Sequence, residues 1–79
     1  MTIKILGSGC ANCDKVESLT KQAVEELGVQ AAIEKVKDIE KILDYGIART
    51  PGLVINEVVK SSGRIPSLDE IKIWIQQMD

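Results

Sequence analysis

A chain of 79 residues with a net charge of −2 reads as one small domain spanning residues 1–79, hiding only about 60% of the surface its unfolded form exposes. Hydrophobic residues make up 44% of it and Trp74 and Tyr45 are its aromatics, so the core must be built from Ile, Val and Leu. Lysines and acids are interspersed, without the basic patch and interleaved aromatics that nucleic-acid binding requires, and the apolar runs are too short for a membrane span or signal peptide. Nucleic acid and membrane are thereby excluded as partners. A cytoplasmic protein is expected, in a compartment where thiols are usually kept reduced.

Thr2 to Leu6 alternates, with Ile3 and Ile5 on one face and Leu6 on the other, until Gly7 and Gly9 break the pattern. From Cys13 to Leu27 the residues Val16, Leu19, Ala23, Val24 and Leu27 recur at helical spacing, and Gly28-Val29 reads as a Schellman-type stop. Residues 29–36 alternate imperfectly around Glu34 and Lys35, as suits an edge strand guarded by charges. Asp38 can cap a short helix with Ile39, Ile42 and Leu43 as its apolar stripe, ending at Gly46. Tyr45 is expected to pack at its end.

Thr50-Pro51-Gly52 opens the continuous apolar run Leu53-Val54-Ile55, which fits a central strand. Asn56-Glu57 can form a two-residue turn into an antiparallel strand at Val58-Val59, followed by a loop at Ser61-Ser62-Gly63. Ser67-Leu68-Asp69-Glu70 is a capping box starting a last helix with Ile71, Trp74, Ile75 and Met78 on one face. The predicted order is βαβαββα, an α/β domain.

The two cysteines, Cys10 and Cys13, sit where the first strand passes into the first helix. Positions i and i+3 share one face of a helical turn, so the pair can be a dithiol or can close a small disulfide ring. The reactive species is a thiolate, and the unpaired N–H groups at a helix N-terminus favour it. Cys10, at the expected N-cap, feels this most and is the expected nucleophile; Cys13, further into the helix and partly covered, is expected to resolve the mixed disulfide. Asp14 opposes thiolate formation at Cys13 and Lys15 assists it.

Cys10-Ala11-Asn12-Cys13 after the first strand and Thr50-Pro51-Gly52 before the third, with this element order, resemble the thioredoxin-like superfamily, most closely its small, glutaredoxin-sized microbial redox-active disulfide proteins. The resemblance covers the whole chain. It implies a three-layer sandwich around a four-stranded mixed sheet, and a protein disulfide oxidoreductase with no cofactor beyond the Cys10–Cys13 disulfide. It also implies a cis peptide at Thr50-Pro51 beside the disulfide, with Thr50, Pro51 and Gly52 binding substrate and Gly9, Ala11 and Asn12 forming the active-site loop. Its partners would be a disulfide-containing protein substrate and a reductase, and the chain would act as a monomer. The sequence departs from the family in lacking a Trp before Cys10 and in having Ala11-Asn12 between the cysteines.

A competing reading is a copper(I)-carrying domain, because soft thiolates suit that ion and Gly-x-x-Cys-x-x-Cys after a first strand is found in such domains. Against it, Ser8 stands where those domains usually have Met, and their second half lacks a Thr-Pro-Gly turn. A closed zinc site needs four ligands, which two cysteines and no histidine do not supply within one chain. No metal site is therefore expected. Gly7-Ser8-Gly9 lacks the third glycine of a dinucleotide loop, and backbone clearance near Cys10 is its expected role.

Overall fold

Seven elements follow one another in the predicted order in the computed structural model, which describes residues 1–7 and 11–77. They are β1 (Thr2–Leu6), α1 (Ala11–Leu27), β2 (Ala32–Val36), α2 (Ile39–Asp44), β3 (Gly52–Ile55), β4 (Val58–Ser62) and α3 (Leu68–Gln77). Ser8, Gly9, Cys10, Met78 and Asp79 lie outside the described residues, and with them the sequence-based assignments for Gly9, Cys10 and Met78.

The strands form one mixed sheet in the order β2-β1-β3-β4. β1 runs parallel to β2, while β3 is antiparallel to both β1 and β4. Strand alternation sends Ile3, Ile5, Leu53 and Ile55 to one face, where they meet Val16 and Ala23 of α1 and Ile71 and Ile75 of α3. Leu6 and Val54 point to the other face and pack on Ile42 of α2 and on Ile47. Helices thus cover both faces, giving the three-layer thioredoxin-like arrangement. Burial of each such Val, Leu or Ile contributes about 1.5–3 kcal/mol relative to exposure. The ion pairs are surface pairs, each worth about 0–1 kcal/mol, so the two apolar clusters hold the fold.

Local signals account for the element ends. Gly28 has φ +67° and the Val29 N–H donates to Val24 O at 3.3 Å, the six-to-one bond of a Schellman stop. Asp38 accepts from the Glu40 N–H at 2.9 Å and caps α2. Asn56 and Glu57 both have positive φ, 49° and 68°, as a two-residue hairpin turn demands. The Asn56 side chain also accepts from the Thr2 N–H at 3.0 Å, tying the hairpin to β1.

α1 starts at Ala11, two residues before the apolar periodicity that begins at Cys13, as a helix with Cys13 inside its first turn requires. Three details differ from expectation. β2 begins at Ala32 rather than residue 29. β4 continues through Ser62, beyond Val59, with Leu53 facing Ser61 and Val54 facing Val59, so that Lys60 is the extra residue of a bulge. In α2 Ile39 and Leu43 are 65% and 57% exposed. A six-residue helix turns only Ile42 inward, and Ile47, from the segment after α2, fills the remaining space. Tyr45 packs against this second cluster as expected, and its hydroxyl joins Lys4 and Glu57 in a hydrogen-bonded set.

The capping box of α3 is complete. The Glu70 N–H donates to Ser67 Oγ at 3.1 Å and the Ser67 N–H to Glu70 Oε1 at 3.2 Å. Arg64 adds a two-pronged ion pair, Nη1 and Nη2 donating to the two Glu70 oxygens at 3.1 and 2.7 Å. Arg64 first, and the Ser67 backbone second, pull the Glu70 pKa down to about 2. The folded-state pKa is depressed, so this stability is present above the unfolded carboxyl pKa of about 4.3 and is lost as pH falls from there toward about 2. Thermal unfolding followed from pH 7 to pH 3 is expected to show wild type losing more stability than Glu70→Gln over that window. Parallel curves for the two proteins would mean that the bridge contributes nothing.

Candidate redox site

Three segments converge where β1 ends: Gly7, the first turn of α1, and the segment before β3. Cys13 lies in that first turn and is 3% exposed. It is disulfide-bonded and does not titrate. A Cβ built on Gly7 would overlap Cys13 Sγ and would stand 3.7 Å from Thr50 Cβ. Gly7 is therefore the spacer that lets the sulfur of Cys13 and the Thr50 segment approach the same stretch of backbone. Its own N–H donates to Val36 O at 2.9 Å, continuing the β1–β2 ladder one residue past the strand.

The Thr50-Pro51 peptide is cis, as the resemblance implied. Thr50 is exposed and Pro51 and Gly52 are buried. Pro51 O accepts from the Gly63 N–H at 2.9 Å. A Cβ on Gly52 would stand 2.6 Å from Ile47 Cδ1 and 3.3 Å from Leu6 Cβ, so Gly52 has a packing role as well. Ala11 and Asn12 are exposed on the first turn of α1. Of the cysteine pair, Cys13 is placed by the structure, whereas Cys10 lies outside the described residues.

A narrow crevice beside Cys13 is lined by Ile5, Gly7, Asp14, Lys35 and Lys37. Lys35 Nζ lies 3.3 Å from Glu17 Oε1 and 3.5 Å from Asp14 Oδ1. Glu17 chiefly, and Asp14 to a smaller extent, raise the Lys35 pKa, so its ammonium is firmly charged. Lys15, expected to offset Asp14 here, lines a neighbouring shallow surface with Asp14, Ser18 and Leu19, and the cations at the crevice are Lys35 of β2 and Lys37 just beyond its end. The signal was available in principle: in a parallel β1–β2 pair, Ile5 is level with Lys35 and Leu6 with Val36, which brings residues 35–37 to the end of β1.

Comparison with known proteins gives the family. The family model described as the thioredoxin domain matches residues 1–76. A thioredoxin from Methanothermobacter thermautotrophicus is 44% identical over 72 residues, covering 91% of this chain and 94% of that protein. A thioredoxin from Methanocaldococcus jannaschii is 42% identical over 72 residues, covering 91% of this chain and 83% of that one. A probable thioredoxin, also from Methanothermobacter thermautotrophicus, is 32% identical over 65 residues, or 78% and 75% of the two chains. The chain belongs to the thioredoxin domain family. It is a thioredoxin-like redox protein of the thiol-disulfide oxidoreductase class. Among the described residues no helix is long and apolar enough to cross a membrane.

Proposed function

We propose that this chain, as a single domain and a cytoplasmic monomer, reduces disulfides in protein substrates with Cys10 and Cys13 and is itself recharged by a reductase. The Cys10 thiolate attacks one sulfur of the substrate disulfide, forming a mixed disulfide and expelling the other substrate sulfur as a thiolate. Cys13, deprotonated, then attacks Cys10 Sγ; the Cys10–Cys13 bond forms and the second substrate thiolate leaves. Both departing thiolates take protons from solvent, and two electrons have passed from the protein to its substrate. The reductase returns two electrons, and no further cofactor enters the cycle.

The observation that carries this reading is the burial of Cys13 against Gly7, at a point that Thr50 also approaches. A buried second sulfur suits a resolving role, since it is reached by its neighbour and not by bulk substrate. Thr50, Pro51 and Gly52 would hold the substrate as an extended strand, for among the described residues Thr50 makes no hydrogen bond of its own. Gly9, Ala11 and Asn12 would shape the loop around Cys10. The family match and the thioredoxin relatives speak for the redox reading and leave copper carriage by the same cysteines without support.

Reduction of insulin disulfides, with dithiothreitol present as the recharging reductant, tests the proposal. Wild type is expected to accelerate precipitation of the insulin B chain and Cys10→Ser to fall to the uncatalysed rate. A Cys10→Ser protein that keeps the wild-type rate would overturn it.

A further inference from the structure

Of the two arginines in the chain, Arg64 is engaged by Glu70 and lies over the Trp74 ring. Arg49 is exposed, and among the described residues its guanidinium enters no hydrogen bond or ion pair. Its position is nonetheless defined. A Cβ added to Gly63 would stand 3.0 Å from Arg49 Cβ and 3.2 Å from Cδ, so the Arg49 stem runs closely along the bare backbone of Gly63. Gly63 is held there by its N–H bond to Pro51 O and turns the chain with φ +75°. The loop that follows β4 thus holds the Pro51 carbonyl and supports the stem of Arg49.

From these contacts we infer that Arg49 selects, within the disulfide reduction proposed above, protein substrates that carry a carboxylate side chain next to the reactive cysteine. The inference rests on that redox reading. A substrate strand that pairs along the Thr50 backbone, as proposed above, would run past the adjacent Arg49, within reach of the residue that flanks its cysteine. A guanidinium takes a carboxylate with two parallel hydrogen bonds, which an ammonium does not match. Packing of the stem on Gly63 removes part of the rotamer freedom that would otherwise oppose binding. The pair is formed at an exposed rim, so its effect is moderate and sensitive to salt.

The test uses three quenched-fluorescence peptide disulfides that differ in having Glu, Gln or Lys beside the cysteine, with kcat/KM measured at low and high salt. Wild type is expected to prefer the Glu peptide over the Gln peptide by roughly 2- to 5-fold at low salt, the ratio approaching one at high salt. Arg49→Gln should level the ratio, Arg49→Lys should restore part of it, and Arg49→Glu should turn the preference toward the Lys peptide. Circular dichroism establishes that each variant is folded. Equal rates on Glu and Gln peptides in wild type, or an unchanged ratio in Arg49→Glu, would overturn the assignment while leaving disulfide reduction intact. Failure to reduce any of the three would remove the redox reading, and this inference with it.

Discussion

Gly7→Ala is expected to damage both the stability and the chemistry of this protein, although it adds a single methyl group. The added carbon would fall on the space held by Cys13 Sγ. Neither side yields easily: Gly7 is anchored to Val36 by its N–H, and Cys13 is fixed in the first turn of α1 beside the buried Val16. Overpacking of this kind costs typically about 1–3 kcal/mol, which for a domain of this size lowers the unfolding midpoint by roughly 5–20 °C. Gly46→Ala is the comparison, because Gly46 has φ +80° but nothing within 4 Å of an added Cβ, so it suffers backbone strain alone. Differential scanning calorimetry of both variants, beside an insulin-reduction assay, separates the effects. Gly46→Ala should lose stability and keep its turnover, whereas Gly7→Ala should lose both. An unchanged midpoint in Gly7→Ala would show that the sulfur is not seated against that glycine in solution.

The second large effect is expected from Cys13→Ser. In the proposed cycle, serine at the buried position would leave the attack of Cys10 on a substrate disulfide intact but the release step without a thiolate to perform it. Turnover should fall to background while covalent adducts accumulate. These would be seen as substrate-sized mass additions on a non-reducing gel and would be removed by excess dithiothreitol. Trapping by Cys10→Ser in place of Cys13→Ser would reverse the roles of the two cysteines.

The elements most visible in the sequence are those whose signals are local. Alternation at Ile3 and Ile5, the Gly28-Val29 stop, the Asp38 cap and the Ser67 to Glu70 box each depend on residues within one turn of each other, and each occurs in the structure. The exposure of Ile39 and Leu43 was hidden because helical spacing does not tell how long a helix is or what else fills the space, and here Ile47 from outside α2 does. The site divides the same way. Cys13 and Thr50-Pro51 stand out as a spaced pair and a turn. Lys35 and Lys37 do not, because they reach the crevice only through the β1–β2 pairing. Gly7 reads in sequence as loop clearance near Cys10, and only the packed structure shows that its missing side chain makes room for the other cysteine.

β1, the strand that leads to the thiol pair, has its antiparallel neighbour in β3, the strand entered through Thr50-Pro51. During synthesis the Cys10 to Cys13 segment therefore leaves the ribosome well before its opposite wall has been translated. At about 5–20 residues per second the gap lasts on the order of seconds. Through that interval the nascent thiols are open to exchange with small-molecule disulfides and with disulfides of neighbouring chains. A slow-translating codon run between β2 and β3 would lengthen the exposure and raise the yield of wrongly capped or cross-linked protein, and a fast run would protect it.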